Sequence, residues 1–180
     1  MSFVLKPVHL PHYTYKDYCA WEGRWELIGG IPYSMTPAPE YTHQAINTKI
    51  IIQLGGLLKN CSTCEVIVAP FDWKVSEVIV VQPDAMVVCG KVEGYYLTFP
   101  PSIIFEILSP STAEKDKTIK YEIYQGQGVK YYIIVNPKTK TLEVFELLKG
   151  KYTKIREIKN NKIKFDLTSC KINFDFNKIW

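Results

Sequence analysis

No stretch of eighteen consecutive apolar residues occurs in this chain, so nothing in it predicts a transmembrane helix. A secretory leader is missing too: residues 1–10 carry Lys6, Pro7 and His9 where an apolar h-region would run. The expected location is therefore the cytoplasm. Internal repeats and low-complexity tracts are absent, which removes solenoids and disordered linkers from consideration. There is also no glycine-rich phosphate loop. Gly126-Gln127-Gly128 stands where a helix closes rather than where one opens after a strand, which argues against a small-molecule α/β enzyme.

Cysteine is sparse and odd in number: Cys19, Cys61, Cys64, Cys89 and Cys170. Without a leader, an odd count predicts reduced thiols. Cys61-Ser62-Thr63-Cys64 has C-x-x-C spacing, but a structural zinc needs four ligands and no second such pair exists. His9 and His12 would complete a site only by chance proximity. A redox motif normally opens a helix, whereas this one follows a helix.

The chain does contain ample apolar material. With 180 residues, 47% of them hydrophobic and 22% charged, it is expected to fold as one domain spanning 1–180. Residues 1–12 form an N-terminal extension, and 149–180 form basic C-terminal strands and tail. Net charge is +4, and Lys149, Lys151, Lys154, Arg156, Lys159, Lys162, Lys164 and Lys171 crowd the last third. Such a segment can touch phosphates. It can equally be a lysine-rich edge that discourages sheet-to-sheet association, and weak aromatic interleaving favours the edge.

Periodicity and punctuation give the element order. Thr14 caps a short helix through Trp21. Arg24–Ile28 and Ile31–Met35 form a hairpin about Gly29-Gly30, a turn suited to positive φ. Pro37 and Pro39 precede a helix reaching about Asn60, with Ile46, Ile50, Leu54, Leu57 and Leu58 as its apolar stripe. Strands follow at Glu65–Ala69, Phe71–Val75, Val78–Val81 and Ala85–Cys89, and then one carrying Glu106. Ser111 or Thr112 caps a second helix that runs to about Gln125, ended by Gly126 and Gly128. Tyr131–Val135, Thr141–Leu148 and Lys151–Ile158 are further strands. The 103–135 stretch reads as a right-handed βαβ unit with two parallel neighbouring strands.

One residue violates this apolar pattern. Glu106 sits inside Ile103-Ile104-Phe105-Glu106-Ile107-Leu108, and Ile104 and Leu108 share its face by strand alternation. A carboxylate buried there costs several kcal/mol unless a cation, a hydrogen-bond network or protonation compensates it. Upstream, Val78-Ile79-Val80-Val81-Gln82-Pro83-Asp84 ends a second apolar run in another carboxylate.

With those residues in hand, the chain resembles the Uma-type family of restriction endonucleases, within the PD-(D/E)XK nuclease superfamily. The resemblance runs from about Tyr13 to Leu148. It rests on Arg24-Trp25-Glu26-Leu27-Ile28 with Gly30, on Ser34-Met35-Thr36-Pro37-Ala38-Pro39 with His43, and on Ala69-Pro70-Phe71-Asp72. It continues through Val81-Gln82-Pro83-Asp84, Glu106-Ile107-Leu108-Ser109-Pro110-Ser111-Thr112, and Asp116, Lys120 and Tyr124 before Gly128-Val129. The resemblance implies a restriction-endonuclease-like α/β fold, a central mixed β-sheet flanked by helices, with an N-terminal helix and hairpin and C-terminal antiparallel strands. It also implies an endonuclease dependent on Mg²⁺ or Mn²⁺ that hydrolyses DNA, possible as a homodimer with one site per strand. Asp84 and Glu106 become the metal ligands, and Lys120 the lysine that assists the attacking water.

This chain departs from the superfamily in one respect. The lysine two residues past the glutamate is replaced by Leu108, and the family pattern moves the lysine to the next helix. There Asp116, Lys120 and Tyr124, spaced four apart, share one face. By spacing alone, Asp116 and Lys120 would be an ordinary solvent pair worth ~0.3–0.5 kcal/mol. Glu26 is either a further carboxylate of the site or an exposed strand residue. His43 either contacts phosphate and orients a ligand or belongs to the core. Gln82 is a candidate for a metal-bound water or a base edge. The alternative function is a catalytically silent nuclease fold kept as a binding or regulatory module.

Overall fold

A computed structural model describes residues 11–35, 39–158 and 162–180, with backbone only at 156–158. Most of the N-terminal extension, His9 among it, and Pro37 and Lys159 therefore lie outside the described residues, as does the Arg156 side chain. Along the chain come α1 (Tyr15–Tyr18), β1 (Trp25–Ile28), β2 (Ile31–Ser34), α2 (Tyr41–Leu58), β3 (Cys64–Val68), β4 (Trp73–Ser76), β5 (Ile79–Val81) and β6 (Ala85–Cys89). Then follow β7 (Ile103–Ile107), α3 (Ala113–Lys117), α4 (Ile119–Gln127), β8 (Tyr131–Asn136), β9 (Thr141–Leu148), β10 (Lys151–Ile158), β11 (Lys162–Asp166) and β12 (Lys171–Asp175).

The strands form a four-stranded sheet in the order β2-β1-β5-β4, a six-stranded sheet in the order β10-β9-β8-β7-β6-β3, and the β11-β12 pair. In the six-stranded sheet β7 and β8 run parallel, with Glu106 opposite Ile134, and the other pairings are antiparallel. The sheet is thus mixed, and its parallel step is the expected strand-helix-strand unit. β5 and β6 are close in sequence yet belong to different sheets. Gln82-Pro83-Asp84 is the crossing between them. Proline has no N–H to give a ladder, so a strand ending there suits its chemistry. Asp84 is consequently placed where both sheets meet.

Alternation along β7 divides the core. Ile103, Phe105 and Ile107 pack with Ile46, Ile50, Leu54 and Leu58 of α2 and with Phe165 and Phe174 of the C-terminal pair. Ile104 faces the other way, toward Trp73, Tyr124, Tyr132 and Ile134. Glu106 shares the face of Ile104 and is 3% exposed, so neither side of β7 is wet. Each fully buried Ile or Leu on α2 contributes roughly 1.5–3 kcal/mol, which fixes that helix against the sheet.

Three expectations require correction. The helix expected from 112 to 125 is two helices, broken at Thr118 (φ −120, ψ −82). An unbroken helix offers the Asp116 carbonyl to the amide at 120; here that carbonyl accepts from Tyr132 Oη at 2.8 Å. The first helix stops at Tyr18 rather than Trp21. Most consequentially, four of the five cysteines are paired, Cys61 with Cys170 and Cys64 with Cys89, leaving Cys19 free and exposed. Cys64 and Cys89 face each other across β3 and β6, while Cys61, just after α2, is bonded to Cys170, just before β12. The C-x-x-C spacing therefore brings two half-cystines together without joining them. Among the described residues no helix is long and apolar enough to cross a membrane.

Candidate active site

Asp84 is gripped from two directions. Its Oδ2 accepts from the Ile107 amide at 2.8 Å and lies 3.1 Å from His43 Nε2. Its own carbonyl accepts from Asn47 Nδ2 at 3.2 Å. His43 and Asn47 are one helical turn apart on α2, so a single face of that helix holds both ends of the aspartate. Burial alone would lower the His43 pKa; the hydrogen bond and charge of Asp84 outweigh it and raise it.

Glu106 is held from α4. Its Oε1 accepts from Lys120 Nζ at 2.9 Å and from Tyr124 Oη at 2.7 Å. Lys120 also lies 2.8 Å from Glu26 Oε1 and 3.5 Å from Asp116 Oδ1. Glu26 comes from β1, in the other sheet, and is fully buried. Its Oε1 takes the Gln82 amide at 2.9 Å as well, while Oε2 takes the ammonium of Lys115. Four elements therefore converge: β1, β7, α3 and α4.

The electrostatics follow from this crowding. Burial alone would lower the Lys120 pKa, yet Glu106, Glu26, Tyr124 and Asp116 raise it well above its usual value. Lys120 is thus a fixed ammonium rather than a base, close to the carboxylates of Glu106 and Glu26 and 3.5 Å from that of Asp116. Burial pushes Glu106 well above the carboxylate range; Lys120 opposes this, while Asp116, Asp84 and Glu26 add to it. Asp116 is raised by burial in the same way. Glu26 goes the other way, because Lys120 and Lys115 overcome its burial and hold it low.

His43, Asp84, Glu106, Lys115, Asp116 and Lys120 line a cleft of about 560 Å³, bordered also by Arg24, Tyr33, Ser109 and Thr112; Glu26 and Tyr124 support it from behind. Glu26, Glu106 and Asp116 pair with the ammonium groups of Lys115 and Lys120, while Asp84 pairs with His43. Counted as ionised, the lining carboxylates Glu40, Asp84, Glu106, Glu114 and Asp116 exceed the cations Arg24, Lys115 and Lys120 by a formal two charges. The donor set suits a hard dication: Mg²⁺ takes oxygen ligands, commonly one or two carboxylates completed by waters and phosphate oxygens. Among the described residues no three His, Cys, Asp or Glu side chains converge as a ready-made metal cage, so any such ion would rest on few protein ligands.

The positions singled out in the sequence divide into three sets. Glu106, Lys120, Asp116, Tyr124 and Glu26 form one contiguous network, with Glu26 buried rather than exposed. Asp84 and His43 form a second grouping on the same cleft. Gln82 turns elsewhere: its amide nitrogen Nε2 donates to Asp72 Oδ1 at 2.8 Å and to Tyr18 Oη at 3.3 Å, and its Oε1 accepts from Arg24. Its side chain therefore builds the cleft wall. Lys115 and Asn47 were not singled out. Lys115 lies in the charge run Glu114-Lys115-Asp116-Lys117, whose default reading is a solvated face. Asn47 falls within an apolar stripe and has no distinguishing local signal.

Residues 14–164 match the family model Uma2, described as "Putative restriction endonuclease". The chain belongs to the Uma2 family. Its fold agrees with that of a solved relative, described as a "putative nuclease belonging to DUF820" from Anabaena variabilis ATCC 29413, at a TM-score of 0.74. That similarity covers 92% of this chain and 96% of the other at 14% identity, which establishes the shared fold. No curated protein matches the chain. The expected mixed α/β, nuclease-like architecture is thereby shown. The Uma2 description also makes nucleic acid the substrate class that family membership implies.

Proposed function

We propose that this cleft hydrolyses DNA phosphodiester bonds as a divalent-cation-dependent endonuclease. The observation that supports the reading is the two-charge carboxylate excess in a cleft that Asp84 and Glu106 both line, each using one oxygen, Oδ2 and Oε1, for the bonds described above. Asp84 and Glu106 are the residues that would hold Mg²⁺ or Mn²⁺. When bound, such an ion supplies Lewis-acid stabilisation of the charge that builds on the non-bridging phosphoryl oxygens.

The protein's own groups have separate tasks. His43 and the Ile107 amide fix the Asp84 carboxylate. Tyr124 and Lys120 fix that of Glu106. Lys120 keeps its proton, so it assists the attacking water through fixed positive charge and by orienting Glu106, not by accepting a proton. Glu26 and Asp116 hold Lys120 in place from the far side. Cutting both strands of a duplex would call on two copies of the chain, as a homodimer.

The test is cleavage of supercoiled, linear and single-stranded DNA with Mg²⁺ or Mn²⁺ and with chelator, comparing wild type with Asp84→Asn, Glu106→Gln and Lys120→Ala. Wild-type cleavage abolished by chelator and by each of the three substitutions is the expected result. Equal activity in all four proteins would overturn the site. A folded wild type inert on every substrate would favour the silent binding module.

A further inference from the structure

The cleft holds two ammonium groups, and they are not equivalent. Lys120 is 2% exposed and enclosed by Glu26, Glu106 and Asp116. Lys115 has a side chain 12% exposed and lines the same cleft. Its contacts are Glu26 Oε2 and the face of Tyr33, with the ring centroid at 5.3 Å.

What each lysine would leave behind decides which one can move. Withdrawing Lys120 would strip Glu106 and Glu26 of a shared partner and leave buried charge uncompensated, the costly case for an ion pair. Withdrawing Lys115 leaves Glu26 with two donors on its other oxygen, the Gln82 amide at 2.9 Å and Lys120 at 2.8 Å. Of the two lysines, Lys115 is therefore the one that can turn toward an incoming anion at the smaller cost. A phosphodiester entering a cleft lined by five carboxylates needs such a partner, since like charges in a desolvated site repel strongly.

We propose that Lys115 is a substrate-binding residue: on DNA entry its ammonium leaves Glu26 Oε2 and grips a backbone phosphate, while Lys120 stays in place between Glu26 and Glu106. This deepens the nuclease reading and rests on it. Glu26 then serves as the resting dock of the phosphate-binding lysine.

Binding of labelled duplex DNA by the full chain, in an Asp84→Asn background so that the DNA stays intact, tests this. Each phosphate contact contributes about one unit to the slope of log affinity against log salt concentration. Lys115→Gln is expected to reduce that slope by about one, and Lys115→Arg to preserve it. In the otherwise wild-type enzyme, Lys115→Gln is expected to raise KM by about ten- to a hundredfold, the range of a charge-assisted hydrogen bond. Its melting temperature should fall less than that of Lys120→Met, because Glu26 keeps two donors on its other oxygen. An unchanged slope and KM alongside an active wild type would overturn the role of Lys115 and leave the nuclease reading standing. Failure of Lys115→Gln to fold would also overturn it, because Glu26 would then be unable to release the lysine. A wild type that neither binds nor cleaves DNA would defeat both readings together.

Discussion

Lys120 Nζ donates to Glu106 Oε1 at 2.9 Å, joining an α4 side chain to a β7 side chain fourteen residues earlier, both nearly solvent-free. The pair stabilises the fold only because Glu26 and Tyr124 complete it. A buried ion pair roughly balances its own desolvation, whereas half of one does not.

Lys120→Met should therefore destabilise the protein by about 3–5 kcal/mol, the cost of leaving buried carboxylates unpaired. Urea denaturation measures it. A loss no larger than that of Lys115→Gln would mean that Lys120 is less embedded than its geometry implies.

Tyr124→Phe isolates one bond. The ring keeps its stacking on Trp73 and its edge contact with Tyr132, while the 2.7 Å donation to Glu106 disappears. The expected loss is about 1–3 kcal/mol, the range for leaving a buried hydrogen-bonding group without its partner. Unfolding free energies of wild type and variant give the value directly, and a change below measurement error would show that Glu106 does not depend on this hydroxyl.

Acid stability should report on Glu26. Lys120 and Lys115 hold its carboxyl below the ordinary value of 4.5 against the opposing pull of burial. A lowered folded-state pKa contributes stability that is complete above the unfolded value and disappears as pH falls through the folded one. The stability difference between wild type and Glu26→Gln should thus shrink as pH drops below 4.5. A difference that stays constant from about pH 6 to about pH 3 would contradict the assignment.

Thiol chemistry checks the cystines. Denatured without reductant, the chain should expose one reactive thiol, that of Cys19; after reduction it should expose five. Breaking Cys61–Cys170 by substituting either residue with serine should cost about 2–4 kcal/mol. Five reactive thiols before reduction would exclude both pairings.

Glu106 was legible in the sequence because it violates a local rule: a charge inside a β-branched run needs compensation wherever it is. Asp84 was legible as the end of a neighbouring apolar run. Lys120 was visible only through the family pattern, since spacing alone made it an exposed partner of Asp116. The depth of Glu26 depends on β1 and α4 meeting, and no local signal encodes that contact. The break at Thr118 has neither proline nor glycine to announce it; there a tyrosine hydroxyl from β8 takes the carbonyl that an unbroken helix would use. The cystines escaped because Cys61 and Cys170 are 109 residues apart and become neighbours only once the C-terminal pair docks.

That same bridge makes most of the molecule a covalent macrocycle with two free tails. Asp84, Glu106, Lys115, Asp116 and Lys120 all ride on the ring, while Glu26 and His43 arrive from the N-terminal tail. A protease cutting once at the exposed Gly94-Tyr95 stretch would open the ring into a nicked but unbroken molecule, with Asp84 and Glu106 still joined by covalent bonds through the cystine. A cut between Glu26 and His43 would instead release Glu26, the ion-pair partner of Lys115, from the ring, leaving packing and non-covalent contacts alone to hold it there.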